Sequence, residues 1–409
     1  MSSKNFAIRS MLPFVVFVWL GSIDQFAFAQ PIENSESRDP RDFAEYWASA
    51  HLLLSGKNPY SPEEMLSLQQ TIVASRVYPV LSWNPPWTLC FTAPFGLMSL
   101  PIAHFLWLLT SIACLILCPS SLWKLYGGGP GKSRITWLIC FALIQTYLVL
   151  ILRQIVPLLL LGIVGFLYFY RRRLLFVSGL SLTLVAIKPH LAFLLWLALL
   201  FWTVHQRQFR VMVGLVMGLA STTLLPLFLV PDVFSFYFQQ YSTRLAPKPL
   251  EWQTSTVSAA LAYLVGSNTL WIRVIPTLLG AIWFIFYWKK NRNRWDWVEQ
   301  TPPLLLASQV ATPFGWLFDQ ILLLPALIQV VVWTSQGTTA TIFKRVAVGF
   351  VVIDLLPLVV VEVAPNYLWL FWMVPLYSLA YIRMKRQIFF SGKIVASAIE
   401  SQVGSGLNK

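Results

Sequence analysis

Acidic side chains are scarce in this chain, with 16 Asp and Glu against 30 Lys and Arg, so those with chemically useful neighbours stand out. Asp42 opens the run Asp42-Phe43-Ala44-Glu45-Tyr46-Trp47, and a carboxylate placed there can take a proton from a hydroxyl. It can equally cap a helix, because Asp at an N-cap followed by Glu45 at N3 makes a capping box, and the two roles are compatible. Arg153-Gln154 and Lys188-Pro189-His190 lie at the ends of apolar runs. Two cations on one face can hold a phosphate while a nearby carboxylate acts on a hydroxyl, or each can simply snorkel to the membrane surface. His190 can serve as a base, although a helix-end histidine beside proline is more often structural. Asp319 sits in an apolar setting after Thr312-Pro313-Phe314-Gly315-Trp316. A carboxylate at mid-bilayer costs about 2.5 to 3.5 kcal/mol, so its presence points to a partner or a functional cavity. Asp354 and Glu362 are weaker candidates of the same kind, and Asp24 reads as interfacial.

Other chemistries find little support. Gly127-Gly128-Gly129-Pro130-Gly131 is a flexible turn with no phosphate-loop context, and no zinc signature or serine-hydrolase elbow occurs. Cys90, Cys114, Cys118 and Cys140 lie in or beside apolar stretches without paired spacing and read as packing residues. No cofactor is called for, and a metal requirement is left open because carboxylates such as Asp39 and Asp42 can share an ion. The net charge of +14 is spread in short basic clusters between apolar runs, which argues for topology and against nucleic acid.

The elements that must position these residues are membrane helices. The 409 residues are 57% hydrophobic and 11% charged, with 19 Trp and 29 Phe, a composition that belongs in lipid. The expected fold class is an all-α polytopic integral membrane protein of about twelve transmembrane helices. Apolar runs place them near 10–29, 102–123, 135–152, 155–170, 174–187, 190–204, 211–230, 269–288, 302–315, 318–334, 345–361 and 367–382. Lys4 and Arg9 before the first run, with Ala27-Phe28-Ala29 after it, allow either a retained helix or a cleaved signal, and retention is favoured.

With the N-terminus cytoplasmic, most of the 30 Lys and Arg fall in short inner connections, as the positive-inside rule requires. Two long outer segments remain, 30–101 and 231–268, within a single integral membrane domain spanning 1–409. The first should hold a helix from Phe43 to Ser55 ended by Gly56. Trp83, Trp87, Tyr237, Phe238 and Trp252 suggest that parts of both lie along the membrane surface. The turn Trp83-Asn84-Pro85-Pro86-Trp87 is either a rigid feeder to a surface helix or a wall for a lipid or sugar.

The combination resembles glycosyltransferase family 87, polytopic enzymes of the GT-C class that include polyprenol-phosphate-mannose-dependent mannosyltransferases. The resemblance rests on Asp42-Phe43 with Tyr46-Trp47, Gly56 with Asn58-Pro59-Tyr60, Pro85-Pro86 leading to Ala93-Pro94, Gln154 before an apolar run, and Lys188-Pro189. A looser match joins Thr312-Pro313 to Trp316 and Asp319. Two positions depart from the family pattern: Arg153 stands where Gly commonly precedes the Gln, and Phe318-Asp319 stands near where some members carry His.

The resemblance implies a GT-C-like bundle with interfacial helices in the first outer loop, in the cell (inner) membrane, with its active site on the extracytoplasmic face. It implies inverting transfer of a hexose, mannose being the family's best-known choice, from a polyprenyl-phosphate donor lipid to a glycolipid or glycan acceptor. Asp42 would be the general base. Lys188, with Arg153 and Gln154, would hold the lipid phosphate, and Tyr46, Trp47, Asn58, Tyr60, His190 and Asp319 would line the sugar and acceptor pocket. The main rivals are a secondary transporter, for which inverted repeats are not evident, and another lipid-linked glycan ligase or polymerase.

Overall fold

The computed structural model describes residues 41–130, 133–242, 248–337, 340–364 and 366–388. The expected first span at 10–29, with Asp24 and Asp39, lies outside the described residues. Helices are the only regular secondary structure among the described residues, with no strand among them.

The first helices are α1 (Arg41–Leu54), α2 (Pro62–Gln70) and α3 (Leu89–Gly96). The expected stop after α1 is present: Gly56 takes φ +68, a left-handed conformation that costs glycine little, and Lys57 N–H returns to Leu52 C=O at 2.9 Å. Phe43, Tyr46 and Trp47 of α1 are buried, and α1 packs on α3. A Cβ at Gly96 would lie 2.8 Å from the Ala50 backbone, so this contact needs a residue without a side chain.

Next comes α4 (Leu100–Leu125), a largely apolar helix whose 26 residues extend about 39 Å, more than the hydrocarbon thickness. The expected span 135–152 is instead two helices, α5 (Arg134–Ala142) and α6 (Ile144–Leu152), bent by 73° at Leu143. A break inside lipid exposes N–H groups that must find acceptors. Asp354 supplies one, its Oδ2 accepting from Ile144 N at 3.0 Å, while Tyr377 Oη donates to Oδ1 at 3.4 Å. The buried carboxylate picked out at 354 is thus the cap of a helix formed 210 residues earlier.

The helix α7 (Val156–Arg171) occupies the next expected span, and α8 (Leu175–Ser181) only the first half of the one after. The chain then passes through two short 3-10 turns, Val185–Ile187 and Pro189–Ala192, before α9 (Phe193–Gln206). Crossing α8 is α10 (Phe209–Leu229), in the most intimate helix contact of the fold. A Cβ at Gly179 would fall 1.9 Å from Val211 O, and one at Gly214 2.0 Å from Phe176 O, so the backbones touch where both helices lack side chains.

The second half holds α11 (Val233–Gln239), α12 (Val257–Val265), α13 (Leu270–Asn291), α14 (Trp297–Ala311), α15 (Leu324–Gly337) and α16 (Ala340–Val363). A last helix, α17, runs over 373–388. Among the described residues, five segments are long and apolar enough to cross a membrane: Leu100–Leu125, Pro189–Gln206, Phe209–Leu229, Leu270–Arg294 and Leu317–Ser335. The bent pair α5 and α6 makes a sixth if counted as one span. Of the other expected spans among the described residues, 155–170 falls on α7 and 345–361 within α16, whereas 174–187, 302–315 and 367–382 end early or are interrupted. One buried apolar cluster nevertheless runs from Phe43 to Met384.

Candidate active site

At one end of the bundle, side chains from four distant stretches meet around Gln154. Its Nε2 donates to Asp42 Oδ2, and its Oε1 accepts from Tyr46 Oη at 3.2 Å and lies 3.5 Å from Lys188 Nζ. Lys188 in turn pairs with Asp319, Nζ to Oδ1 3.0 Å, with 13% and 2% of the two side chains exposed. Asp319 uses its other oxygen to accept from Trp316 N at 2.8 Å. The expected meeting of a carboxylate with a cation is therefore present, and one buried amide links the two.

Each member is held by local structure. Helix α1 already includes Arg41, which puts Asp42 inside the first turn and not at the cap, where a carboxylate also suits the positive end of the helix. Gln154 follows Arg153, which ends α6 in the left-handed region at φ 56, ψ 43. That conformation favours glycine, so an arginine there carries backbone strain. The turn is fixed by Trp107 of α4, whose Nε1 donates to Arg153 O at 2.8 Å and whose ring touches Phe43, Tyr46 and Phe95. The Arg153 side chain stays outside the hydrogen-bonded cluster, and its Nε is buried without a partner among the described residues.

Lys188 sits between the two 3-10 turns at φ −130, ψ 74. Trp87 Nε1 anchors the first turn through Ala186 O at 2.9 Å, so the Pro85-Pro86-Trp87 element is a brace for the lysine. Polar residues of α14 brace the second turn and the start of α9, Gln309 Nε2 donating to Leu191 O at 3.1 Å and Ser308 Oγ accepting from Leu194 N at 3.1 Å. Phe318 lies beneath Lys188, with Nζ 5.1 Å from the ring centroid.

Other expected pocket residues lie around this cluster and not in it. Trp47 donates to Met98 O at 3.0 Å and stacks on His51. Tyr60 is 1% exposed, its Oη donating to Asn84 O at 3.1 Å, while Asn58 Oδ1 accepts from Tyr60 N at 2.9 Å. His190 stacks on Phe314 with centroids 4.0 Å apart, and its carbonyl accepts from Thr312 Oγ1 at 3.4 Å, the arrangement expected of a structural histidine.

Glu45 is the site residue that sequence reasoning missed. Its Oε1 accepts from Asn84 Nδ2 at 3.4 Å, and it stands one turn from Asp42 on α1. Burial, then the Asp42 charge, hold its carboxyl well above the usual glutamate range against the opposing pull of Lys188. Reading Glu45 only as a capping-box partner hid this; a second acid three residues from the first was the available signal. Among the described residues, no three His, Cys, Asp or Glu are grouped to hold a metal.

The chemical capacity of the arrangement is specific. A carboxylate can accept a proton while an ammonium, already paired with a carboxylate, can exchange that partner for an incoming anion. The model of glycosyltransferase family 87 matches residues 83–318, which include Asn84, Arg153, Gln154 and Lys188, with Asp42 and Glu45 ahead of the match and Asp319 just past it. No curated protein and no solved structure matches the chain. Since the matched stretch is more than half of the 409 residues, the chain belongs to glycosyltransferase family 87 and is a glycosyltransferase built on membrane-capable helices.

Proposed function

We propose that the protein transfers a hexose, mannose being the family's best-known choice, from a polyprenyl-phosphate donor to a hydroxyl of a glycan or glycolipid acceptor. The reaction takes place at the extracytoplasmic face of the cell membrane. The observation that carries this reading is the Gln154 amide, which ties Asp42 and Lys188 into one cluster although 146 positions separate them in sequence. A base and a phosphate holder are the two groups that transfer from a lipid phosphate needs.

In the proposed step the acceptor oxygen forms a bond to the anomeric carbon as its proton passes to Asp42. The bond from that carbon to the phosphate oxygen breaks, and its electron pair leaves with the polyprenyl phosphate. Attack opposite the leaving group inverts the anomeric centre through an oxocarbenium-like transition state. Lys188 shifts part of its charge from Asp319 to the phosphate, with Arg153 beside the turn as a second cation. Gln154 holds Asp42 with an N–H donor, which keeps the carboxylate oriented.

The test is release of polyprenyl phosphate from a radiolabelled polyprenyl-phosphate-hexose by the purified protein in nanodiscs. Asp42→Asn should lower turnover by at least about a hundredfold with the protein still folded, the size expected on losing a general base. Wild-type turnover in that variant would remove Asp42 from the chemistry. Solute flux in proteoliposomes without any sugar release would favour a transporter instead.

A further inference from the structure

Three indole rings that take no part in the hydrogen bonds of the cluster above converge from separate segments. Trp83 comes from the turn before Pro85, Trp252 from the stretch after residue 248, and Trp316 from the turn before Asp319. Trp83 meets Trp252 edge-on at 6.4 Å, Trp252 meets Trp316 at 5.6 Å, and Trp316 stacks on Phe318 at 6.2 Å. Phe318 is the ring beneath Lys188. Tyr367 adds a further ring, edge-on to Trp316 at 6.0 Å. A line of rings thus leads away from the proposed reaction centre.

All three indoles are half-buried, unlike the fully buried Trp107, Trp123 and Trp297 of the core. Isolated belt tryptophans anchor a protein singly in headgroups, whereas these rings face one another across three loops. Their flank is polar: Glu251 and Gln253 on either side of Trp252 are exposed, and the Gln253 amide oxygen accepts from the Asn366 amide. Exposed charge beside a ring places that edge in water, not in hydrocarbon. Aromatic faces with hydrogen-bonding groups at their edges suit sugar rings, which present an apolar C–H face and a polar rim.

We propose that Trp316, Trp252 and Trp83 form a binding platform for the acceptor glycan, taking a chain of more than one sugar unit, with Gln253 and Asn366 bonding its hydroxyls. The idea rests on the transferase reading above and extends it: Asp42 would act on the unit nearest Trp316, and Trp252 and Trp83 would hold the units behind it. The platform thereby sets a preference for oligosaccharide over monosaccharide acceptors.

The experiment uses full-length Asp42→Asn protein in nanodiscs, which binds without turning over, on an array of defined hexose oligosaccharides carried on a short linker or a lipid tail. At least one multi-unit glycan should be retained, and Trp252→Ala in the same background should weaken it about tenfold or more. Trp252→Phe should restore most of the binding, which separates lost stacking from lost folding. Equal retention with either carrier means the sugar chain alone is read; stronger retention on the lipid tail that still falls with Trp252→Ala means a glycolipid headgroup is read. No retained glycan, or retention indifferent to Trp252→Ala, overturns the platform. So does a selective loss of undecaprenyl phosphate binding in Trp252→Ala, which would make the rings a donor-lipid wall. Donor turnover by the wild-type protein is measured separately, so failure of the platform and failure of the transferase reading are distinguishable.

Discussion

Replacing Asp319 by leucine should expose how the Lys188 pair is built. The two side chains are 13% and 2% exposed and 3.0 Å apart, so the substitution leaves an ammonium in a poorly solvated place. Breaking a buried pair from one side costs about 3 to 5 kcal/mol. The Trp316 N–H, now accepted by Asp319 Oδ2 at 2.8 Å, loses its acceptor as well, for about 1 to 3 kcal/mol more. Against this, Lys188 keeps the Gln154 oxygen at 3.5 Å and the Phe318 face at 5.1 Å, the latter worth about 0.5 to 2 kcal/mol. The net expectation for Asp319→Leu is a loss of about 2 to 7 kcal/mol. Adding Lys188→Met removes the stranded charge, and the double variant should recover at least about 2 kcal/mol of that loss. Transfer activity should not recover with it, since the phosphate holder is gone. Unfolding of the four proteins of the cycle in one detergent, followed by intrinsic fluorescence, measures the coupling. If Asp319→Leu alone unfolds like wild type, or the double variant is no better than the worse single one, the pair is not the buried clamp described here.

Three further outcomes follow from the geometry. Because the folded-state pKa of Glu45 is raised above the ordinary value of 4.5, its stabilising contribution is complete below that pH and is lost as pH climbs through the folded value. The unfolding midpoint of Glu45→Gln should therefore gain steadily on wild type above pH 4.5; parallel curves would contradict the shift. Arg153→Gly relieves left-handed strain of about 1 to 2 kcal/mol and adds about 0.5 to 1 kcal/mol of unfolded-chain entropy, for a small net gain in stability. Its donor KM should rise at the same time if the guanidinium meets the phosphate, and a less stable variant would show that the side chain is a structural prop. Gly214→Ala must push α8 and α10 apart, costing about 1 to 3 kcal/mol or more, whereas Gly349→Ala, with open space around it, is the matched control; equal melting of the two variants would mean the helices are not in contact.

How far the sequence could be read depended on whether the cause of a feature lay nearby. Gly56 ends α1 because a local left-handed turn needs it, and the Phe43 to Ser55 expectation came within two residues of the observed helix. The grouping of Asp42 with Gln154, Lys188 and Asp319 was reachable through loop parity and the family pattern, since each follows or precedes an apolar run. Leu143 was not legible as a break: neither proline nor glycine marks it, and the acceptor that permits it is Asp354. Likewise the partners that shape the Lys188 loop, Trp87 and Gln309, lie about a hundred residues to either side. At Arg153 the sequence shows only the changed side chain, while the backbone adopts the left-handed conformation that favours glycine.

The kink between α5 and α6 also imposes an order of events during biogenesis. A free N–H at Ile144 is costly in hydrocarbon, by several kcal/mol, and the oxygen that satisfies it belongs to a residue translated 210 positions later. Until the α16 segment has entered the bilayer, the nascent 134–152 stretch is better off as one straight rod, with the Gln154 corner unmade. Maturation of the catalytic end therefore depends on the carboxy-terminal part of the polypeptide, and a ribosome stalled before codon 354 would leave a chain that is inserted but inactive.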